Sequence, residues 1–504
     1  MSARPTFFIR TLGCKVNRAE SEKIAAALIG EGWCAAQSAA CDLAVLNTCT
    51  VTAEADAKCR KALRSLLREN PARVIVTGCA VRVSPDVWRD IDGRITVLPS
   101  PASVLEASRE LSQAIASEAR PVEGESSKAA SADADANEAA GASQRPLFRT
   151  RADVKIQDGC DRACSYCIVH VARGPARSVP ADDVVREVGR LAESGTREVV
   201  LVGIDISAWR DEQNGISATG WGGAAGAGGA AGFGDEQNGI SATGWGGAAG
   251  ERGAAGWGGA TGFSGGLASL CGRLLCETSI ARIRLSSLEP EGVTPELLDV
   301  IASSEGRICR HLHICLQSGS EKVLAEMNRG YTPAEFEEIV RAARERIPKL
   351  ALSTDVIVGF PGETEDDFLA TAELVRRCAF MRLHIFCYSR RDGTPAAERD
   401  DQVPPEVASE RAARLRAIAS ELAARDALSR VGDEETIVVE RAGRGTSESY
   451  HTVVFDPRGD DAPRVGEIAH MRLERWDGEK GAFVGGELPH MGQKSRFVRL
   501  DPQD

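Results

Sequence analysis

Three apolar runs near the start of the chain each end on a cysteine: FFIRTLGC (7–14), DLAVLNTC (42–49) and RVIVTGC (73–79). Short, nearly continuous apolar runs of this kind belong to strands buried on both faces, as in a parallel sheet covered by helices. Helical patterning fills 19–31 and 53–69 between them. Strand–helix alternation at this spacing predicts a doubly wound parallel α/β unit over residues 1–107. Strands of a parallel sheet point the same way, so their carboxyl ends line one edge, where ligands usually bind. Cys14, Cys49 and Cys79 are therefore expected to converge although 35 and 30 residues separate them. The alternative is that they are buried core thiols, which are common, and Cys34, Cys41 and Cys59 are read that way because they follow no strand.

Residues 108–147 are mostly Ala, Ser, Glu and Asp. They offer too little large apolar surface to offset the entropy of ordering, so a disordered linker is expected. Strand signals resume at 153–157, 198–204, 282–288, 311–317, 351–359 and 382–389, with helical patterning near 181–194, 267–277, 294–303, 333–346, 364–378 and 405–428. Six strands with intervening helices predict a parallel barrel, closed or partial, over 148–430. Within it, residues 211–266 hold 21 of the 51 glycines, and DEQNGISATGWGGAAG occurs at 211–226 and again at 235–250. A repeat array needs about three stackable copies with apolar faces, and these offer mainly Gly, Ala and isolated Trp, so a disordered insertion is expected. Short alternating runs over 431–490 predict a small all-β barrel or sandwich, followed by a tail, 491–504.

A chain of 504 residues is too long for one domain, so two to four are expected. No run of 18 apolar residues occurs, which predicts no membrane span, and the first residues lack the pattern of a signal peptide. Fifteen cysteines without such a signal point to a reducing compartment, hence a cytoplasmic location, with thiols as core residues, metal ligands or catalysts. The formal charge of −12 argues against a uniformly basic nucleic-acid surface while leaving room for a local basic patch.

The stretch DGCDRACSYCIVHVARGPARS (158–178) sets Cys160, Cys164 and Cys167 as C-x3-C-x2-C directly after a predicted strand. Three thiolates on one loop can wrap a single metal centre, whereas a closed zinc or iron–sulfur site takes four. The next cysteine is more than a hundred residues downstream. An open coordination position follows, unless these are a zinc loop or unrelated core cysteines.

A C-x3-C-x2-C loop at the end of the first strand of a parallel barrel resembles the radical S-adenosylmethionine (SAM) superfamily. That resemblance implies a 4Fe–4S cluster whose free iron chelates the methionine moiety of SAM, whose reductive cleavage releases a 5′-deoxyadenosyl radical. A three-cysteine α/β domain ahead of such a barrel and a small β module behind it resemble the methylthiotransferase family, over 7–107, 150–204 and 267–485. Membership implies two 4Fe–4S clusters, on Cys14, Cys49 and Cys79 and on Cys160, Cys164 and Cys167. It further implies SAM as both methyl donor and radical source, tRNA as partner, an electron donor such as flavodoxin or ferredoxin, a sulfur donor, and a TRAM-like C-terminal domain. The wording TLGCKVN, QDGC, ARGPARS and DVIVGFPGET is similar to the MtaB-type branch, which adds a methylthio group at C2 of threonylcarbamoyladenosine beside the anticodon. Where this chain has Lys-Val-Asn after the first cysteine, the isopentenyladenosine branch reads Gln-Met-Asn and the ribosomal-protein branch Pro-Lys-Asn.

The same resemblance implies that Tyr166 packs on the adenine of SAM, that Glu289 or Asp355 contacts its ribose, that Arg329 meets its carboxylate, and that Gln317 lies nearby. Polar groups at barrel strand ends suit ligand contacts. Arg173 and Arg177 are expected to meet a phosphate or the threonyl carboxylate of the substrate, for which guanidinium is suited. Asp205, where relatives more often show His or Asn, and Trp209, where Tyr is usual, depart from the pattern. Residues 431–504 carry ten Lys or Arg against fifteen Asp or Glu, an unusual balance for an RNA-binding module. The competing readings are methylthiolation of isopentenyladenosine tRNA or of a ribosomal protein, and a non-catalytic iron–sulfur or zinc protein.

Overall fold

A computed structural model describes residues 4–118, 150–211, 266–458 and 462–486. The N-terminal unit is a five-stranded sheet built from β1 (Thr6–Thr11), β2 (Cys34–Ala35), β3 (Leu43–Thr48), β4 (Arg73–Gly78) and β5 (Ile95–Val97), in the order β2-β1-β3-β4-β5. Every neighbouring pair is parallel. Central β3 is buried at all six positions, which is why it reads as an unbroken apolar run. The helices are α1 (Lys15–Gly30), α2 (Ala53–Arg68), α3 (Cys79–Val83), α4 (Asp86–Arg89) and α5 (Pro101–Glu118). Ile24, Ala25 and Leu28 of α1 share one core with Val104 and Leu111 of α5 and with Phe7, Leu43 and Val45. Leu63 and Leu66 of α2 and Trp88 of α4 pack with Ala44 and Leu46 on the other face.

Two expectations shift here. Helix α1 begins at Lys15 rather than at 19, because Cys14 takes an extended conformation and caps it. The first part of the linker expected from 108 is helical instead: α5 runs to Glu118, and Val104, Ser108 and Leu111, spaced four and three residues apart, put one buried stripe against the sheet. The remainder of that linker, nearly all of the duplicated Gly-rich insertion and the 491–504 tail lie outside the described residues.

The second unit holds β6 (Arg151–Lys155), β7 (Gln157–Asp158), β8 (Arg177–Ser178), β9 (Glu198–Val202), β10 (Arg282–Leu285), β11 (Ser287–Leu288), β12 (His311–Ile314), β13 (Ala351–Val358) and β14 (Arg382–Cys387). Its helices are α6 (Val169–Arg173), α7 (Ala181–Glu193), α8 (Leu267–Glu277), α9 (Pro295–Ala302), α10 (Glu321–Glu326), α11 (Pro333–Arg346), α12 (Glu365–Cys378) and α13 (Pro405–Ser429). The strand expected at 282–288 breaks at Ser286: β10 pairs with β9, whereas β11 pairs with β12. Two parallel sheets, β10-β9-β6 and β11-β12-β13-β14, are thereby joined into one open arc, the partial barrel the strand count predicts. Its helix-facing core is continuous from Val154 through Leu201, Ile283, Leu312 and Leu352 to Phe380.

Helix α1 closes part of the open side. Val16 and Ala19 pack on Val200 and Val202 of β9, three valines worth about 1.5 kcal/mol each by burial. Arg18 pairs with the buried Asp153 of β6.

The third unit is a closed barrel in the order β15-β16-β17-β19-β18, from β15 (Glu434–Arg441), β16 (Arg444–Ser447), β17 (Thr452–Val454), β18 (Ile468–Asp477) and β19 (Ala482–Gly486). It docks under the arc through a buried charge cluster. Glu198, fully buried, accepts from Arg282 at 2.5 Å and Arg284 at 3.0 Å. The same two guanidinium groups donate onward to carbonyl oxygens of Thr436, Thr446, Ser447 and Glu448. No helix among the described residues is long and apolar enough to cross a membrane.

Candidate active site

Cys14, Cys49 and Cys79 follow β1, β3 and β4 at one edge of the first sheet, as the strand pattern predicts. Gly13, at φ +107°, makes the approach possible: a Cβ there would stand 2.8 Å from the Cys49 Cβ and 3.1 Å from its Sγ. Burial is the largest influence on the Cys49 thiol, pushed up to about 12, and the neighbouring Cys14 and Cys79 add to it. Burial raises Cys79 as well, against the lowering pull of Arg173. Cys59 joins this edge from behind, where its Sγ accepts from the Cys49 N–H and donates to the Cys49 carbonyl. It braces the strand end rather than facing the cavity.

The second cradle is the loop between β7 and β8, whose antiparallel pairing Gln157↔Ser178 and Asp158↔Arg177 clamps its two ends. Gly159, at φ +72°, lies so close to the returning chain that a Cβ would meet the Pro175 carbonyl. Gln157, which the sequence reading passed over, organises the loop. Its Nε2 donates to the Asp158 and Gly159 carbonyls, and its Oε1 accepts from the Ile204 and Asp205 N–H groups. Burial raises the Cys160 thiol to about 11 and the Cys167 thiol to about 12.

Both sets fit an iron–sulfur cluster with one open iron. Each offers three convergent thiols, and thiols ionise when a cationic centre binds them.

The structure places the two arginines differently from the expectation that both meet substrate. Arg173 is buried and fully engaged within the chain. It donates to Glu20 Oε1 at 2.6 Å and Oε2 at 3.2 Å, to Asp158 Oδ1 at 3.0 Å, to Asn17 Oδ1 at 2.6 Å and to Cys79 Sγ at 3.2 Å. Lys155 completes the knot with bonds to Glu20 and Asp158. Two cations thus face two carboxylates, and despite burial these cations hold the Asp158 carboxyl at about 2. Arg173 ends α6, which begins just after Cys167, so this network ties the first cradle to the second. Arg177 is partly exposed, with Nη2 3.2 Å from the Arg173 carbonyl.

Arg329 donates from Nη1 to the Cys164 Sγ at 3.3 Å and pairs with Glu289, bringing both beside the second cradle. Burial raises the Glu289 carboxyl despite Arg329 and Arg162. Gln317 takes a left-handed φ of +64°; its N–H donates to the Asp355 carbonyl and its own carbonyl accepts from Ile357. Tyr166 packs against Val323, Met327, Ile357, Phe360 and Ala396. The departures are accommodated: Asp205 accepts from Arg162 of the cysteine loop at 2.8 Å, and the Trp209 indole donates to the Val179 carbonyl.

Between the first sheet, the arc and the C-terminal barrel lies a cavity of about 1100 Å³, lined by Cys14 and Cys49, by Ser286, His313 and Asp355, and by Tyr450. His313 Nε2 is 3.3 Å from Asp355, and the Ser353 hydroxyl bridges the His311 and His313 rings at 3.0 Å each.

Comparison with known proteins matches residues 6–98 to the model described as "Uncharacterized protein family UPF0004" and residues 154–218 and 258–375 to that of the radical SAM superfamily. A threonylcarbamoyladenosine tRNA methylthiotransferase, MtaB, of Bacillus subtilis strain 168 is 32% identical over 499 residues, covering 95% of this chain and 96% of that protein. A tRNA-2-methylthio-N(6)-dimethylallyladenosine synthase of Sorangium cellulosum is 34% identical over 466 residues, covering 86% and 82%. Among solved structures, the radical SAM methyltransferase TsrM of Kitasatospora setae, bound to tryptophan and a SAM analogue, aligns over 78% of this chain and 75% of its own, with 15% identity and a TM-score of 0.49. The chain belongs to the MtaB-type radical SAM tRNA methylthiotransferases, enzymes whose cofactors are two 4Fe–4S clusters and SAM.

Proposed function

We propose that this enzyme converts threonylcarbamoyladenosine next to the tRNA anticodon to its 2-methylthio derivative. The observation that carries this reading is the near end-to-end match to MtaB of Bacillus subtilis, with 95% of this chain and 96% of that protein aligned; the proteins of that name in Chlamydia pneumoniae and Treponema pallidum support it. The dimethylallyladenosine reading is favoured by the 34% identity to the Sorangium protein, over a shorter span.

The bound groups supply a carbon-centred radical, needed because C2 of the base is neither acidic nor electrophilic, together with the sulfur and the methyl. The chain's own residues bind and orient. Cys160, Cys164 and Cys167 hold one cluster and Cys14, Cys49 and Cys79 the other. Arg329, beside the Cys164 sulfur, takes the SAM carboxylate, Glu289 or Asp355 its ribose, and Tyr166 its adenine, with Gln317 at the neighbouring strand end. Arg177 is left to meet an RNA phosphate. A small reductant of the flavodoxin or ferredoxin class and a separate sulfur donor complete the cycle.

Mass spectrometry of tRNA nucleosides from cells with and without the gene tests the substrate. The 2-methylthio derivative of threonylcarbamoyladenosine should vanish on deletion, and loss of the dimethylallyl product instead would select the other branch. Cys164→Ala should abolish formation of 5′-deoxyadenosine. Cys49→Ala should abolish thiolation and spare SAM cleavage; equal loss of both activities would contradict the division between the cradles.

A further inference from the structure

Positive charge gathers around Tyr450, which lines the cavity together with Lys15, Arg284, Glu22 and Asp355. Tyr450, in a left-handed turn (φ +70°) of the C-terminal barrel, sets its ring 4.7 Å from that of His311. Four cationic groups surround the phenol: Arg284 at 4.8 Å from the ring centroid, Arg382 at 5.2 Å, Lys15 at 5.7 Å and Arg151 at 5.9 Å. Two are neutralised, Arg284 by Glu198 and Arg151 by Glu198 and Glu440. Lys15 and Arg382 have no carboxylate within ion-pair distance among the described residues. Burial together with these cations holds His311 neutral. The Tyr450 hydroxyl, which burial alone would raise, is instead lowered by the four cations.

The floor is backed by the 447–451 loop of the C-terminal barrel. Arg284 donates to the Ser447 and Glu448 carbonyls, and Arg310 pairs with Glu448, so the 447–451 loop closes the arc beneath the cavity. A polynucleotide backbone must enter and leave, whereas the tip of a substituent can stop there. Lys15 directly follows Cys14 in the chain, so the uncompensated ammonium is carried by the same helix start as a ligand of the first cluster.

We infer that Lys15, Arg382 and the Tyr450 hydroxyl bind a carboxylate borne on the side chain of the modified adenine, fixing which nucleoside is taken and how it faces the first cradle. This rests on the threonylcarbamoyladenosine reading, whose amino-acid carboxylate supplies the anion. It assigns to Lys15 and Arg382 the carboxylate contact expected of Arg173 and Arg177. Specificity follows from what a neutral substituent does here: a dimethylallyl group leaves two desolvated cations and a phenol unpaired, which costs more than its apolar contact returns.

The test measures binding of the cluster-loaded full-length enzyme to two synthetic anticodon stem-loops, one with threonylcarbamoyladenosine and one with its methyl ester. The wild type should bind the free acid about tenfold tighter or more, the worth of one charge-assisted hydrogen bond. Lys15→Gln and Arg382→Gln should each bring that ratio close to one with ester affinity unchanged, and Tyr450→Phe should lower it by a smaller factor. Iron and sulfide per chain and the far-ultraviolet spectrum verify that the variants fold. Variants that weaken both stem-loops equally would assign these cations to an RNA phosphate and overturn the inference. So would a ratio that survives all three substitutions, or a wild type that methylthiolates acid and ester alike. A wild type that methylthiolates neither, but accepts a dimethylallyladenosine stem-loop, would overturn the substrate reading itself.

Discussion

Removing the Arg173 guanidinium should separate the two cysteine cradles. In the native arrangement Arg173 and Lys155 neutralise Glu20 and Asp158 inside the protein, with Arg173 and Glu20 almost wholly buried. Arg173→Ala leaves Lys155, helped only by Arg177 at 3.5 Å from Asp158, to neutralise two carboxylates, strips Asn17 Oδ1 of a donor and takes from Cys79 its hydrogen bond. Losing one partner of a buried pair costs about 3–5 kcal/mol. Lys155 stays bonded to both acids, so the lower end applies: about 3 kcal/mol, a hundredfold or more in the equilibrium for opening this seam. The perturbation is local, so the assay is native-state hydrogen exchange on the amides of α1 and of residues 156–160. Arg173→Lys, which keeps the charge and loses the fork, should fall between wild type and alanine. The pH dependence has a definite sign. Both carboxyls are held below their ordinary range, Asp158 at about 2, so the network contributes fully above about pH 4 and fades as pH falls toward 2. In the alanine variant the acids protonate more readily, and its deficit should shrink between pH 7 and pH 4. A change below about 1 kcal/mol at neutral pH, the size of an exposed pair, would refute the buried-network argument.

Gln157→Leu should loosen the cysteine loop, because two amide donors at Ile204 and Asp205 and two carbonyls at Asp158 and Gly159 lose their partner. A deficit of roughly 1–3 kcal/mol should appear as faster loss of iron from the Cys160, Cys164 and Cys167 cradle, while the first cradle retains its iron. Glu198→Gln should release the C-terminal barrel, since Arg282 and Arg284 then face each other without their shared anion; a lower melting temperature with easier proteolysis after α13 would register it. Burial would raise the Glu198 carboxyl, yet the arginines hold it at about 2, so this contribution should persist down to about pH 4 and disappear below it.

Much of this architecture was legible because buried parallel strands announce themselves. The expected 42–48, 73–78 and 351–359 appear as Leu43–Thr48, Arg73–Gly78 and Ala351–Val358, and the convergence of Cys14, Cys49 and Cys79 followed from strand direction alone. What escaped depended on pairing across the chain. Arg173 is expected from the sequence to meet substrate, whereas its partner Glu20 lies 153 residues away in the same chain, a distance no local pattern encodes. Gln157 looked like the end of a strand, although its carboxamide ties that strand end to the next one. Composition misled at 108–111, where Ser108 and Leu111 continue the buried stripe begun by Val104. A local signal was available and unused: Gly precedes Cys at 13–14, 78–79 and 159–160, and each of these glycines has positive φ.

The buried part of the union between the arc and the C-terminal barrel rests on peptide oxygens, since Arg282 and Arg284 grip the carbonyls of Thr436, Thr446, Ser447 and Glu448, with Arg151–Glu440 and Arg310–Glu448 pairs at its margin. A joint that reads main chain is largely indifferent to the side chains above it. Most of the barrel's outer residues can therefore be exchanged over evolutionary time, even toward an acidic surface, without loosening the joint, and a designer could graft a different outer face onto the same loops.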